Sequence, residues 1–199
     1  MGAENRGYRI LILALATWGG VGFLPFMPGT WGTLAALPLW YYLAPTGPWG
    51  YGLGVAALVI LGLMVAGPAQ EILGRTDHGS IVIDEVAGLL ITLAGIPPTW
   101  EHAALGFIIF RTLDILKPFP IRWFQEGGKG GLEVMADDIA AGVMGRVVLE
   151  VVMIFWYKVF IFISNVLVHP LKCFHFLIGQ WKDFAVCISN HETFGLNHG

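Results

Sequence analysis

The sequence predicts an all-α fold: a polytopic integral membrane helix bundle with an acidic site at its cytoplasmic membrane face. Three observations predict it. Of 199 residues, 56% are hydrophobic and only 13% charged, whereas a soluble domain carries about 25% charged residues. Between Arg9 and Glu71, 61 consecutive residues include no Asp, Glu, Lys or Arg, which no water-facing surface tolerates. The charges that remain gather at the ends of apolar runs. The same composition excludes disorder and collagen. A net charge of −3 without any Lys/Arg-rich run excludes a nucleic-acid partner, which needs clustered cations to displace phosphate counterions. Cys173 and Cys187 form no CxxC pair and define neither a disulfide framework nor a zinc site.

The first run, 11–26, follows Arg6 and Arg9 and is interrupted by Gly19, Gly20, Gly22 and Pro25, so it predicts a broken helical segment rather than a clean crossing. Its LILALATW stretch, with Ala14 and Ala16 spaced like a cleavage site, resembles a secretory leader. That reading is set aside because apolar sequence continues for dozens of residues beyond it. Runs 32–43 and 51–67 are separated by PTGPWG, which predicts a turn between antiparallel helices. Run 81–96 stops at Pro97 and Pro98, and run 101–116 stops at Pro118 and Pro120. Run 139–168 is long enough to cross although Arg146, Glu150 and Lys158 interrupt it. Several runs are shorter than the roughly 20 residues a crossing needs, so half-helices leaning on neighbours are expected. A membrane-embedded domain is expected over 1–165. The tail, 166–199, suits a membrane surface, with Trp181 as an interface anchor.

The acidic residues mark one face. Asp77, Asp84 and Glu85 precede or open run 81–96, Asp114 closes run 101–116, and Asp137 and Asp138 open run 139–168. If successive runs cross in alternate directions, these ends fall together, and the PGTWGT loop at 28–33 joins them. That face carries Arg75, Lys117, Arg122 and Lys129, while the turns at 44–50 and 96–101 carry no Lys or Arg. By the positive-inside rule it is cytoplasmic, although Lys172 and Lys182 beyond the last run do not follow the rule.

Ionised groups at membrane depth are costly unless paired, hydrated or bound to an ion, so they mark functional sites. For Asp84/Glu85 and Asp137/Asp138 the helix dipole, worth about 0.3–1 kcal/mol each, is an alternative reason for acids at helix starts. It fails for Asp114, which sits near a helix C-terminus at i+3 from Arg111 and i−3 from Lys117; a structural ion-pair ladder is the alternative there. Converging carboxylates need a cation among them. Magnesium suits the inventory, since it takes hard oxygen ligands and is held by a few carboxylates with substrate phosphate. Zinc does not, because no HExxH spacing occurs. His78 offers a hydrogen bond or a proton, or serves its loop. Arg111, Lys117 and Arg122 in RTLDILKPFPIR suit a phosphate, with snorkelling to lipid headgroups as the alternative for Lys117 and Arg122. The PGTWGT loop, through Thr30 and Thr33, and EGGKGG offer hydroxyl and backbone donors to an anion, though neither is a Walker A motif.

Four motifs in order, PGTWGTLAALPLWYY, DHGSIVIDEVAG, FRTLDILKPFPIRWF and MADDIAAGV, resemble the phosphatidylglycerophosphatase A family over roughly 20–155. The resemblance implies a multi-pass, magnesium-dependent phosphatase of the bacterial inner membrane. Its expected reaction is hydrolysis of phosphatidylglycerophosphate to phosphatidylglycerol and inorganic phosphate at a cytoplasmic site. It also places the family's acidic positions on Asp77, Asp84, Glu85, Asp114, Asp137 and Asp138, the expected metal ligands, with Lys117 and Arg122 beside them. Asp84, Glu85, Asp114, Lys117, Asp137 and Asp138 are the expected catalytic set; Thr30, Thr33, Arg111, Lys117 and Arg122 are expected to bind substrate.

Other phosphatase chemistries find no support, since the sequence has no CxxxxxR loop, no DxD nucleophile and no PSGH-type histidine signature. Metal-assisted attack is the physical candidate that remains. The competing class is a transporter or channel with a carboxylate-lined path, which calls for charges near mid-membrane rather than at helix ends on one side. A structural or assembly role comes third. The tail beyond about Phe160 has no counterpart in the resemblance.

Overall fold

A computed structural model describes residues 3–75, 78–119 and 131–192, and every regular element among them is helical. The chain separates into two compact units, Met1–Val151 and Val152–Gly199; all packing described below lies within the first. Helix α1, Ala3–Ala16, begins well before the expected run at residue 11 and carries Arg6 and Arg9 on its first turns. It ends where the Thr17 hydroxyl donates to the Leu13 carbonyl at 2.6 Å and accepts from the Gly20 N–H at 3.1 Å. Trp18, Gly19 and Gly20 then take left-handed φ angles of 51°, 69° and 96°, so the glycines end this helix rather than punctuate a longer one.

Helix α2, Pro28–Leu43, opens with a proline whose missing N–H is spare at the first helical position. A 3-10 turn, Ala44–Thr46, and Gly47 at φ 77° break the chain within PTGPWG, as that motif predicts. Helix α3, Gly47–Leu73, follows. Among the described residues, the 46 residues of Pro28–Leu73, α2 and α3 with the turn between them, are the one stretch long and apolar enough by length and composition to cross a membrane, holding an 18-residue window of mean hydropathy 2.1.

Helix α4, Ile83–Thr92, has ten residues, about 15 Å of axial rise against the roughly 30 Å of a bilayer core. The run at 81–96 yields so short a helix because the chain turns at Leu93–Ile96, with Gly95 at φ 72°. Ile83, Val86, Ala87, Leu89 and Leu90 are wholly buried, since α2, α3 and α5 (Trp100–Leu116) pack around it. Two polar ties fix its register: the Tyr51 hydroxyl on α3 donates to the Leu90 carbonyl at 2.5 Å, and the Val82 N–H donates to the Ala16 carbonyl at 3.0 Å.

Helix α6, Gly131–Glu192, starts earlier than the expected residue 139. Asp137 and Asp138 therefore do not open a helix but lie in its second turn, beyond the reach of the N-terminal dipole. This removes the dipole explanation for the pair. Its packing on α4 uses small residues, which let backbones approach closely. A Cβ on Gly88 would strike the Phe110 ring and the Asp138 carbonyl, one on Gly142 would strike the Gly88 carbonyl, and one on Gly145 would press on Thr92. The Thr92 hydroxyl reaches the Gly88 and Gly142 carbonyls at 3.1 and 3.3 Å. Asp84 precedes Gly88 by four residues, as Asp138 precedes Gly142, so the contact that joins the helices also brings their acids face to face.

Gly88→Val is expected to destabilise the protein by about 1–3 kcal/mol, the usual cost of overpacking, seen as a lower thermal midpoint in detergent. Gly52→Ala, at a helical position with nothing within 4 Å of the added carbon, is expected to leave the midpoint unchanged or raise it.

Candidate active site

Three elements converge at the N-terminal end of α4. Asp84 and Glu85 occupy its first turn, and Asp138 projects from α6. One carboxylate oxygen from each lies within 4.8 Å of the other two. Asp84 and Asp138 are only 8% and 4% exposed. Asp84 Oδ1 accepts the Glu85 N–H at 3.0 Å, while Glu85 Oε2 is buried with no hydrogen-bond partner among the described residues. Buried carboxylates this close repel strongly unless a cation lies among them. An all-oxygen donor set with one unpartnered buried oxygen fits a hard divalent cation; these are the residues that could hold a metal.

The other two described acids are occupied differently. Arg111 Nη1 bonds Asp114 Oδ2 at 2.6 Å and stands 3.9 Å from Glu85 Oε1. Its Nε is buried and has no partner among the described residues. Lys117 Nζ bonds Asp137 Oδ2 at 2.5 Å. Burial works against the Lys117 charge, but the hydrogen bond and charge of Asp137, with Asp138 and Asp114 behind it, outweigh it and hold the ammonium pKa above its ordinary value. Lys117 also ends α5 in a left-handed conformation, φ 43°, its N–H donating to the Leu113 carbonyl at 2.8 Å. For a residue with a Cβ this costs about 1–2 kcal/mol.

The N-terminal turn of α2 closes the site. A Cβ on Gly29 would collide with Glu85 Oε1 and sit 3.1 Å from Arg111 Nη1, so glycine lets the tips of both side chains keep these positions. Thr30 is half-buried in the same turn. Thr33 is buried and its hydroxyl donates to the Gly29 carbonyl at 2.7 Å, so that donor is engaged by its own helix. His78 Nδ1 accepts the Ser80 N–H at 3.2 Å, which shapes the loop before α4. Asp77, Arg122 and residues 126–130 of EGGKGG lie outside the described residues; its last glycine, Gly131, opens α6.

The structure thus brings together Asp84, Glu85, Arg111, Asp114, Lys117, Asp137 and Asp138, with Gly29 against them. Sequence reasoning treated the acids as one group and missed both the Lys117–Asp137 pairing and the steric role of Gly29. The signal for Gly29 was present as a Pro-Gly pair at a helix start; nothing local in the sequence announces a pair 20 residues apart.

The sequence profile of the family described as phosphatidylglycerophosphatase A matches residues 14–153. The chain belongs to this family. Phosphatidylglycerophosphatase A of Escherichia coli K12 is 44% identical over 137 residues, 68% of this chain and 79% of that protein. The Haemophilus influenzae protein of the same name is 39% identical over 137 residues, 68% of this chain and 84% of its own length. A Bacteroides thetaiotaomicron protein, named as a proposed phosphatidylinositol-3-phosphatase, is 34% identical over 149 residues, 71% of this chain and 92% of its own length. No solved structure matches the chain. The phosphatidylglycerophosphatase A match spans every described residue of the site and ends near the boundary of the first compact unit.

Arg111 sits 13% exposed between two acids, so Arg111→Met is expected to destabilise the fold by about 3–5 kcal/mol, the cost of stripping one partner from a buried ion pair. Thermal denaturation in detergent measures it.

Proposed function

We propose that this chain is a membrane-embedded lipid phosphatase that converts phosphatidylglycerophosphate to phosphatidylglycerol and inorganic phosphate in bacterial phospholipid synthesis. The observation that carries the reading is the convergence of a carboxylate trio and two paired cations inside the segment that matches the phosphatidylglycerophosphatase A family. Membership of a phosphatase family favours hydrolysis over the transport path.

Asp84, Glu85 and Asp138 would hold Mg²⁺. When bound, the ion supplies Lewis acidity toward a phosphoryl oxygen and lowers the pKa of a coordinated water. The chain's own contribution is positional and electrostatic. Lys117 and Arg111, with Arg122, bind the phosphate oxygens and offset the charge that grows on them. Asp114 holds the Arg111 guanidinium in place, and Gly29 leaves room for Glu85 and Arg111 together. Hydrolysis forms a bond from water oxygen to phosphorus and breaks the bond to the glycerol oxygen, which leaves with the bonding electrons and takes up a proton.

The bundle crosses the bilayer several times over 1–165, and the site faces the cytoplasm, a reading supported by Arg75 and Lys117 on the site's side and by the Lys/Arg-free turns opposite. The lipid tails then stay in the bilayer while the headgroup reaches the acids.

Purified full-length protein in detergent micelles is expected to release phosphate from phosphatidylglycerophosphate with Mg²⁺ and to stop when EDTA is added. Asp138→Asn and Lys117→Ala are expected to remain folded while losing about 100- to 1,000-fold in rate. Full activity of both variants, or turnover indifferent to EDTA, overturns the proposal. Phosphatidylinositol 3-phosphate is the comparison substrate, and faster turnover of it reassigns the headgroup.

A further inference from the structure

Asp137 and Asp138 are adjacent in sequence, yet they do different things. On a helix, neighbouring side chains point about 100° apart. Asp138 turns toward Asp84 and Glu85, while Asp137 turns to Lys117 and meets its ammonium at 2.5 Å, the two side chains 12% and 24% exposed. Lys117 is itself held in an unusual way. Pro118 prevents α5 from continuing and disfavours a helical conformation at the residue before it. Lys117 ends the helix in the left-handed region, where glycine sits without strain. A side chain tolerated there belongs to the strained conformations that gather at functional sites.

From this geometry we infer that Asp137 is a positioning residue for Lys117, outside the group that takes the metal, and that the left-handed turn at Lys117 serves to aim its ammonium toward the substrate phosphate. The inference rests on the proposed phosphatase reading and divides its acids by task. Asp84, Glu85 and Asp138 hold the cation. Asp137 keeps a four-carbon side chain from swinging away at the end of its helix. The arrangement resembles the outer partners that orient metal ligands, except that the oriented group is a phosphate-binding cation.

The test uses purified full-length protein in detergent, Mn²⁺ as a spin probe of the metal site, and phosphate release as the kinetic readout. Asp137→Asn and Asp137→Ala are expected to bind Mn²⁺ as tightly as the unmodified chain. Their kcat is expected to fall by about 10- to 100-fold, less in Asn, which keeps an acceptor for the ammonium. Asp138→Asn is expected to lose Mn²⁺ affinity. A loss of affinity in Asp137→Ala equal to that in Asp138→Asn makes Asp137 a ligand and overturns the inference, while the phosphatase reading stands. Unchanged Mn²⁺ binding in Asp84→Asn, Glu85→Gln and Asp138→Asn together removes the reading beneath it. A second comparison isolates the backbone. Lys117→Gly and Lys117→Ala both lose the ion pair, but only glycine relieves the turn, so Lys117→Gly is expected to melt about 2–4 °C higher while both lose phosphate release. Equal midpoints, or a Lys117→Gly protein that keeps its activity, refute the strained-turn argument.

Discussion

Mutual repulsion among Asp84, Glu85 and Asp138, whose ligand atoms lie within 4.8 Å of one another, governs the architecture around them. Carboxylates withdrawn from water and set side by side cannot all stay ionised without compensation. The compensation available from the chain is limited. Five described acids meet two cations, Arg111 and Lys117, and both of those are already bonded to Asp114 and Asp137. Three formal negative charges are left, an imbalance that a divalent ion reduces and that no rearrangement of these side chains removes.

The packing follows from the need to hold that trio in register. Asp84 and Glu85 ride on a buried helix of ten residues, and Asp138 on a helix that contacts it through Gly88, Gly142 and Gly145. Where side chains are absent, backbones set the spacing, and backbones shift less than side chains do. Tyr51 and Val82 fix α4 along its axis, while Gly29 fits α2 against the acids from the side. Rigid support of this kind is what preorganised electrostatics require, because donors that must move to meet a developing charge lose most of their value.

The helical nature of the described elements was legible in the sequence, as was the gathering of Asp84, Glu85, Asp114 and Asp138; how those side chains pair was not. Helix ends at Gly19, Gly47 and Pro118 are local events, and local residue chemistry announces them. Alternation of apolar runs was enough to gather PGTWGT, Asp84, Asp114 and Asp138, because a chain confined by short turns has few ways to place its run ends. Helix length was harder to read. The run at 81–96 is uniformly apolar, so periodicity carries no mark of where α4 stops, and the glycine that ends it, Gly95, resembles others that lie within helices. The early start of α6 escapes the sequence pattern for a related reason: 131–138 carries Glu133, Asp137 and Asp138, and their polarity disguises a helix already under way. Which acid meets which cation depends on rotation of α6 against α5, a tertiary quantity with no local signature.

Helix α4 is encased on every side, and this bears on how the chain is made. A segment of ten residues cannot leave a protein-conducting channel as an independent span, since it is too short to match the hydrocarbon thickness and its first turn carries two acids. On the membrane reading it enters the bilayer only alongside partners that shield it, and α5 and α6 emerge later in synthesis. Hydrolytic competence then arises as a late event of biogenesis, and partly inserted chains lack the assembled centre.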